Sequence, residues 1–249
     1  MRLQNRKIVI TGGGSGIGLE TARLFHKEGA QICVLDRSPA SLDKAHTELH
    51  GVTVLGCDVS IEEEVGRAME QALQAMGGID GVCNVAGIGT RKSFAETTLE
   101  IMQTDIAINL LGPFIVSKAA LPHMQRAGGG TIVNVASGLA LRPTEGRTAY
   151  GASKGGLVVM SKAMAIDLAA DNIRVNVICP GLIDTPLVQN ATHGALFSPA
   201  QMEKLMERRI IRRLGTADEV AKGILFLTSD ESSFMTACVM AVDGGGSMH

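Results

Sequence analysis

The stretch TGGGSGIG, residues 11–18, follows the apolar run KIVIT, residues 7–11, and leads into a segment with helical periodicity. Gly12, Gly16 and Gly18 permit a tight turn, a close approach of backbone N–H groups to a pyrophosphate, and close packing of a helix on a sheet. The N-terminus of that helix also stabilises an anion. The stretch therefore predicts a dinucleotide-binding turn between the first strand and the first helix, with Ser15 and Ile17 inside it.

An acidic residue, Asp36, follows the glycine turn at a distance along the chain that suits binding of the adenosine ribose. Asp36 ends the second apolar run, QICVLD, where a carboxylate accepts hydrogen bonds from the ribose hydroxyls of adenosine. A 2′-phosphate ~4 Å from that carboxylate would cost up to about 4 kcal/mol at an effective dielectric of ~20. This favours NAD over NADP. The neighbouring Arg37 is the dissenting residue, because a guanidinium binds phosphate; we interpret it as a solvated surface residue.

Strand-like and helical segments alternate along the whole chain. The strand-like runs are apolar on both faces, which is typical of parallel strands covered by helices on each side. They lie at residues 7–11, 31–36, 52–58, 81–86, 131–137, 173–180 and 238–243. We predict an α/β fold: one domain over residues 1–249, built on a doubly wound parallel sheet (Rossmann fold) with helices on both faces.

Two helix starts are marked by capping signals. Ser38 followed by Pro39 predicts an N-cap with proline at the first helical position. Ser60 and Glu63 have the spacing of a capping box.

The long departure from the alternating pattern is segment 182–215, after the sixth strand. Ser198-Pro199 predicts a short helix within it, whose apolar face carries Met202, Leu205, Met206 and Ile210. Open α/β sheets bind ligands beyond the carboxyl ends of their strands. We therefore predict a small helical substrate lid here; an ordinary packed helix is the alternative.

Composition excludes several classes of function. The chain has 23 basic and 25 acidic residues and a formal net charge of −2, so it has no basic footprint for nucleic acid or an anionic membrane. Its apolar runs are too short for a signal peptide or a membrane span, and we expect a cytoplasmic protein. The five cysteines have no CxxC spacing, so neither disulfides nor a metal site are expected.

The only tyrosine, Tyr150, stands four residues before Lys154 on a predicted helix, so the two side chains share one face. A phenol has a pKa of about 10, so its ionised form must be stabilised by roughly 4 kcal/mol before it can act as a proton shuttle near neutral pH. One ammonium ~4 Å away supplies about that much, which predicts a depressed pKa for Tyr150. Ser137 ends a buried strand, and its hydroxyl is placed to donate to a substrate oxygen.

These features together resemble the short-chain dehydrogenases/reductases. The resemblance rests on TGxxxGxG at 11–18, CNVAG at 83–87, Asn109 in INLLGPF, Ser137 thirteen residues before YGASK, CPGLIDTP at 179–186 and VDGG at 242–245. It implies a catalytic tetrad of Asn109, Ser137, Tyr150 and Lys154. Tyr150 would be the general acid/base, Ser137 would orient the substrate oxygen, and Lys154 would bind the nicotinamide ribose and lower the phenol's pKa. Asn109 would hold a water that links Lys154 to solvent.

The resemblance also implies the remaining cofactor contacts. These fall on Asp58 and Val59 for adenine, on Asn84, Val85, Ala86 and Gly87 beneath the adenosine, and on Pro180, Gly181, Ile183 and Thr185 for the nicotinamide carboxamide.

Two positions depart from the family pattern. The usual NNAG reads NVAG at 84–87, which puts one side-chain hydrogen bond of the fourth strand in doubt. The usual threonine-glycine before the last strand reads Thr236-Ala237. Because alanine resists a positive φ, we expect that turn to take a different conformation.

The sequence favours an NAD-dependent oxidoreductase that interconverts a secondary alcohol and a ketone by hydride transfer. The alternatives are an NADPH-dependent 3-oxoacyl-thioester reductase, against which Asp36 argues, and a non-catalytic NAD-binding regulator, against which the complete tetrad argues. Ser137, Tyr150 and an apolar set are the predicted substrate contacts: Leu139, Leu141, Leu182, Leu187, Val188, Met202, Leu205 and Met206. His193, Arg91, Arg142 and Arg147 are candidates for a carboxylate, or solvated loop residues.

Assembly is the last expectation. Segment 155–170 is apolar around most of its circumference, so a helix there needs cover on more than its sheet side. In the family this helix and the one around 100–120 pair across dimer axes, and the C-terminal strands pair in tetramers. The resemblance thus implies a homo-oligomer, most simply a homotetramer.

Overall fold

The computed structural model describes residues 1–190, 205–207 and 209–248, with backbone only for residues 189 and 190. Within them, one sheet of seven parallel strands has the order β3-β2-β1-β4-β5-β6-β7. This confirms the predicted doubly wound α/β fold. The strands are β1 Lys7–Thr11, β2 Gln31–Asp36, β3 Thr53–Gly56, β4 Gly81–Asn84, β5 Gly130–Val135, β6 Ile173–Pro180 and β7 Val239–Val242.

Helices connect the strands and cover both faces of the sheet. They are α1 Gly16–Lys27, α2 Pro39–Glu48, α3 Glu62–Met76, α4 Leu99–Ile106, α5 Gly112–Ala127, α6 Thr148–Asp167, α7 Pro186–Asn190 and α8 Ala217–Thr228. A π-helical turn, Ala107–Leu111, joins α4 to α5, so helical structure continues from Leu99 to Ala127. That span is long and apolar enough by composition to cross a membrane, a property that core helices of soluble proteins share.

Alternate residues of each strand face two separate parts of the core. Ile8 and Ile10 of β1 pack in a cluster with Phe25 of α1 and Ile224 of α8. Val9 points to the other face and joins a cluster with residues of α3 and α5, including Met69 and Met124. Burial of each strand on both faces is the reason that the strand sequences are continuously apolar.

One predicted cap is confirmed and the other is wrong. The Ser38 hydroxyl accepts from Ser41 N at the start of α2, with Pro39 at the first helical position. The capping box at Ser60 does not form. There α3 begins at Glu62 with Ile61 at the N-cap, so Ser60 lies one residue before the cap position, and its hydroxyl donates to Asp58 Oδ1 at 2.6 Å.

Part of the predicted lid, residues 191–204 and 208, lies outside the described residues, and with it His193, Ser198, Pro199 and Met202. Both ends of segment 182–215 are tied together, since Gly215 N donates to Leu182 O at 3.0 Å and Asp184 N to Gly215 O at 2.9 Å. Residues 205–207 are helical. The segment therefore leaves and rejoins the fold at one place, next to the carboxyl end of β6.

The turn before β7 contradicts the expectation drawn from Ala237. Alanine takes the left-handed conformation there, with a φ of +57°. Two hydrogen bonds fix this geometry: Ala237 N donates to Val175 O at 2.8 Å, and the Thr236 hydroxyl accepts from Val175 N at 3.1 Å. These hydrogen bonds outweigh the backbone strain at Ala237, so the residue keeps its left-handed conformation although this lowers the stability of the fold.

Replacing Ala237 with glycine should therefore stabilise the protein. Relief of the left-handed strain is worth about 1–2 kcal/mol, partly offset by the greater entropy of glycine in the unfolded chain, so we expect a net gain of about 1 kcal/mol. Equilibrium denaturation in urea measures it. The control is Ala163→Gly at an exposed position within α6, which should lower the free energy of unfolding by about 1 kcal/mol. A loss of stability in both variants would contradict the strain at Ala237.

Candidate active site

A cavity of about 330 Å³ opens at the carboxyl edge of the sheet, lined by loops that follow β1, β2, β3, β4, β5 and β6. It spans the point between β1 and β4, where the strand order reverses. Connections leave these two strands in opposite directions, so a crevice remains between them.

The glycine turn forms one wall of this cavity. Gly12 has a φ of +64°, and a Cβ there would lie 2.8 Å from the backbone of Ala86, so only glycine fits. A Cβ on Gly18 would overlap the Gly12 carbonyl oxygen, which brings α1 close to the turn. α1 begins at Gly16 with no acidic residue in its first turn. Its N-terminus thus meets the cavity with a positive dipole end, suited to a phosphate.

Asp36 lies at the end of β2 in the same wall. Its carboxylate accepts from Gly14 N at 3.1 Å and from Ser38 N at 3.0 Å, which fixes it between the glycine turn and α2. Arg37 Nη1 lies 3.3 Å from Asp58 Oδ2, and the Arg37 side chain is 59% exposed. The guanidinium is thus a surface group that already has an anionic neighbour.

All the predicted cofactor residues except Asn84 line the cavity. Asn84 is buried beneath it, where its amide nitrogen donates to Ser117 Oγ at 3.1 Å and Asn134 Oδ1 at 2.8 Å. With Val85 in place of the family's second asparagine, the Asn84 amide nitrogen keeps these bonds, but its Oδ1 is buried without a hydrogen-bond partner in the part of the chain that the structure describes. The Thr11 hydroxyl accepts from the backbone N–H groups of Val85 and Ala86, and so fixes the end of β4.

Ser137, Tyr150 and Lys154 lie together at the far end of the cavity and are at most 9% exposed. Ser137 follows β5, and its hydroxyl accepts from Leu139 N at 3.1 Å, which orients it. Tyr150 and Lys154 come from successive turns of α6. Tyr150 and Ser137 also line a second cavity of about 350 Å³, so these two hydroxyls stand where the two cavities meet.

Lys154 is a buried amine. Its Nζ donates to Val135 O at 2.8 Å, which ties α6 to the end of β5. Burial lowers the pKa of Lys154 to about 8, because removal from water disfavours the ammonium. Part of the Lys154 population is therefore uncharged close to neutral pH.

The predicted depression of the Tyr150 pKa is wrong for the protein without a bound cofactor. Burial raises the pKa of Tyr150, although the neighbouring Ser137 hydroxyl and the positive charge of Arg147 lower it in part. Arg147 lies over the Tyr150 ring, 5.8 Å from the centroid, and donates to Thr90 O at 3.0 Å.

Asn109 sits in the π-helical turn, fully buried. Its Oδ1 accepts from Ile88 N at 2.9 Å, and its Nδ2 donates to Ile88 O and to Ser153 Oγ, each at 3.1 Å. Ser153 in turn donates to Tyr150 O at 2.8 Å. The Asn109 side chain thus braces the loop after β4 against α6, and its role toward a water and Lys154 stays a prediction.

Sequence reasoning missed three supporting residues: Thr11, Ser153, and Arg147 in its role beside Tyr150. Thr11 is the first letter of the glycine motif and Ser153 lies inside YGASK, so both stood in quoted motifs without an assigned role. For Arg147 the only signal was its place three residues before Tyr150.

The second cavity contains most of the predicted substrate residues. Ser137, Leu139, Tyr150, Leu182, Leu187, Val188 and Leu205 line it. Met206, on the same helical turn as Leu205, does not line it, and neither does Leu141, which is 43% exposed on the surface.

The fold and this site define a Rossmann-type oxidoreductase. A family profile described as enoyl-(acyl carrier protein) reductase matches residues 12–247. 3-Oxoacyl-[acyl-carrier-protein] reductase FabG of Thermotoga maritima is 37% identical, over 98% of this chain and 99% of its own. Cis-4-hydroxycyclohexanecarboxylate dehydrogenase of Sinomonas cyclohexanicum is 36% identical, over 96% of both chains. The crystal structure of levodione reductase superimposes with a TM-score of 0.92 at 32% identity, over 99% of both chains.

The chain therefore belongs to the short-chain dehydrogenase/reductase family, as the sequence motifs predicted. It is an oxidoreductase, and the family uses a nicotinamide cofactor.

The buried Lys154 predicts a pH-dependent cost to stability. Its folded pKa of about 8 lies below its unfolded value, so the unfolded chain binds the proton more tightly, and the stability of the fold rises with pH above about 8. At pH 7, Lys154→Met should raise the free energy of unfolding by about 2 kcal/mol. Removal of the buried charge raises the free energy of unfolding by roughly 3 kcal/mol, and loss of the hydrogen bond to Val135 O lowers it by about 1 kcal/mol.

Denaturant unfolding of the cofactor-free proteins between pH 7 and 10 measures this difference. The advantage of the Lys154→Met variant should shrink as pH rises, because deprotonation removes the penalty from the wild type. Lys162→Met, at an exposed position on the same helix, is the control and should show no such trend. A constant difference across the range would mean that Lys154 titrates normally.

Proposed function

We propose that the protein is an NAD-dependent oxidoreductase that interconverts a secondary alcohol and a ketone. One observation carries the proposal: Tyr150 and Ser137 stand at the junction of a dinucleotide-shaped cavity and a second cavity, with Lys154 beside them. The first cavity fits a nicotinamide dinucleotide, since it has a helix N-terminus at Gly16 for the pyrophosphate and a carboxylate at Asp36 for a ribose. When bound, the nicotinamide exchanges a hydride with the substrate carbon.

The side chains supply the proton chemistry. Ser137 donates a hydrogen bond to the substrate oxygen and fixes it beside the Tyr150 hydroxyl. During alcohol oxidation the Tyr150 phenolate takes the hydroxyl proton, and during ketone reduction the Tyr150 O–H gives one back. Because burial raises the pKa of Tyr150, the positive charges nearby matter for this step: Arg147 over the ring, the Lys154 ammonium, and the charge of the oxidised cofactor.

Asp36 is the basis of the choice of NAD. Its two oxygens accept hydrogen bonds from the backbone N–H groups of Gly14 and Ser38, which hold the carboxylate in the place where a 2′-phosphate would meet its negative charge. Arg37 is engaged with Asp58 rather than turned to this position.

The similarity to FabG favours one second candidate, a reductase of 3-oxoacyl thioesters that uses NADPH. Asp36 opposes that candidate through its repulsion of the 2′-phosphate. The dehydrogenase of hydroxycyclohexanecarboxylate, a relative of nearly equal identity, acts by its name on a secondary alcohol, in agreement with the leading proposal. We also propose a cytoplasmic location.

The segment 182–215 is proposed as the substrate lid of this one-domain enzyme. Leu182, Leu187, Val188 and Leu205 come from it and line the second cavity. The Ile183–Gly215 bridge fixes the base of the segment beside β6, next to the cavity that these four residues line.

A homotetramer is the proposed assembly. Large apolar side chains are exposed on the neighbouring helices α4, α5 and α6: Leu99, Phe114, Val159 and Ile166 are 72%, 49%, 68% and 77% exposed. A second set stands near the C-terminus, where Phe234 and Met248 are exposed. Two separate apolar faces suit the two axes of a symmetric tetramer.

Replacing Asp36 with alanine should narrow the preference for NAD(H) over NADP(H). Removal of the carboxylate abolishes the repulsion and also a ribose contact, so we expect the ratio of the two dissociation constants to fall by about 10- to 100-fold. Fluorescence titration with NADH and NADPH measures both. Asp43→Ala, an exposed position on α2, is the matched control and should leave the ratio unchanged. Tighter binding of NADPH by the wild type would refute the role given to Asp36.

Tyr150→Phe keeps the aromatic ring and its packing but removes the acidic hydrogen. Turnover of a secondary alcohol should fall by about 10³- to 10⁴-fold, since general acid/base catalysis is lost. NADH binding should change less than about threefold, because the cavity keeps its shape. Retention of most of the activity would remove the catalytic role and favour the non-catalytic regulator.

Light scattering at micromolar concentration should give a mass near four times that of one chain. Val159→Asp with Ile166→Asp places two charges on the exposed face of α6 and should reduce the mass to that of a smaller species. The double variant Glu70→Lys and Gln74→Lys, on the exposed face of α3, is the control and should keep the wild-type mass. A monomeric wild type would end this proposal.

A further inference from the structure

The second cavity has an unusual charge. Four arginines line it, Arg91, Arg142, Arg147 and Arg209, against two carboxylates, Glu145 and Asp243. The chain as a whole has a formal net charge of −2, so this positive excess is local to the cavity.

Backbone groups already engage one of the two carboxylates. Asp243 accepts from Gly245 N at 2.9 Å and from Ser247 N at 2.8 Å, and these bonds shape the turn after β7. Glu145 is exposed on the loop before α6 and is therefore screened by water. Both acids keep their charge, but four guanidinium groups against two carboxylates leave the lining of the cavity with a net positive charge.

Arg209 has an unused donor. Its Nη1 donates to Leu205 O, whereas its Nε is buried and has no hydrogen-bond partner in the part of the chain that the structure describes. Its side chain packs on Gly246, where a Cβ would lie 3.4 Å from Arg209 Cγ. Burial lowers the pKa of Arg209, although Asp243 opposes this. A buried guanidinium N–H without an acceptor is costly, and an anionic ligand would satisfy it.

The guanidinium groups of Arg147 and Arg142 differ in whether they already bond to other groups of the protein. Arg147 is used within the protein, since it donates to Gly89 O and Thr90 O and covers the Tyr150 ring. Arg142 follows Ser137 by five residues and is exposed; its backbone N–H donates to Gly138 O at 2.9 Å, whereas its guanidinium makes no hydrogen bond or ion pair within the described ranges. Two guanidinium groups, from Arg209 and Arg142, thus offer donors to a ligand in the cavity that also contains the Tyr150 and Ser137 hydroxyls.

We infer that the substrate is a hydroxy acid or oxo acid, whose carboxylate binds Arg209 and Arg142 while its alcohol or ketone oxygen meets Tyr150 and Ser137. A carboxylate matches the planar fork of a guanidinium, and it also provides the acceptor that Arg209 Nε lacks. The inference rests on the proposed function, because it places the reacting oxygen at Tyr150.

The first test separates carboxylate recognition from turnover. Calorimetry of the NADH-bound protein with cyclohexanecarboxylate and with its neutral isostere, cyclohexanecarboxamide, measures binding without reaction. We expect the carboxylate to bind about 10- to 100-fold more tightly, the range for a charged hydrogen-bonded pair. Equal or reversed affinities would overturn the inference.

Variants assign the binding to the two arginines. Arg209→Gln and Arg142→Gln should each reduce the preference for the carboxylate by about tenfold and leave carboxamide binding unchanged. Glu145→Gln should increase the preference by less than about threefold, since water screens the charge that it removes. Arg126→Gln, on the exposed end of α5 away from the cavity, is the control and should have no effect. A preference that survives in both arginine variants would contradict their role.

Turnover with NAD tests the same idea on reacting compounds. Pairs of 3-hydroxybutyrate and its amide, and of 4-hydroxycyclohexanecarboxylate and its amide, cover a short and a longer spacing between hydroxyl and carboxylate. The acid should have the higher kcat/KM in the pair that reacts. Reaction of neutral alcohols alone would overturn the inference and leave the proposed function standing. Carboxylate binding without oxidation of any alcohol would reject the proposed function and keep the anion site.

Discussion

A parallel sheet brings the carboxyl ends of all its strands to one edge, and the position of the chemistry depends on that direction. The loops after β1, β2 and β5 place the glycine turn, Asp36 and Ser137 at this edge. The reversal of strand order between β1 and β4 keeps the connections apart and leaves a crevice. Residues far apart in sequence meet there because they occupy equivalent ends of neighbouring strands.

The position of α6 on the sheet depends on buried polar contacts. Asn84 donates to Asn134, and Asn134 Nδ2 donates to Ser161 Oγ at 2.8 Å, which connects β4, β5 and α6. Lys154 adds a bond from α6 to Val135 O. These bonds favour one arrangement of the side chains, because a shift would leave further buried polar groups unpaired in addition to Asn84 Oδ1. The enzyme accepts an unfavourable buried amine at Lys154, and the neighbouring contacts maintain it where a cofactor ribose is expected.

Sequence patterns failed where a local signal competed with tertiary surroundings. Ser60 has capping-box spacing, yet the nearer carboxylate of Asp58 takes its hydroxyl. The pKa of Tyr150 was predicted from one neighbouring charge, but desolvation of the phenol outweighs that charge once the helix is packed. Ala237 was expected to avoid a positive φ, yet hydrogen bonds to β6 impose it. In each case the deciding energy comes from residues that the motif does not contain.

The sequence by itself determined the strand and helix order, the glycine turn, Asp36 at the end of β2 and the shared face of Tyr150 and Lys154, because these follow from local periodicity and from spacing along one element. Only the tertiary structure decided which hydroxyls meet between the two cavities, that Asn84 supports the sheet instead of lining the cavity, and that Arg209 comes to the same cavity as Arg142. Burial and the pairing of donors with acceptors depend on the packing of distant segments, and no pattern along one segment contains that information.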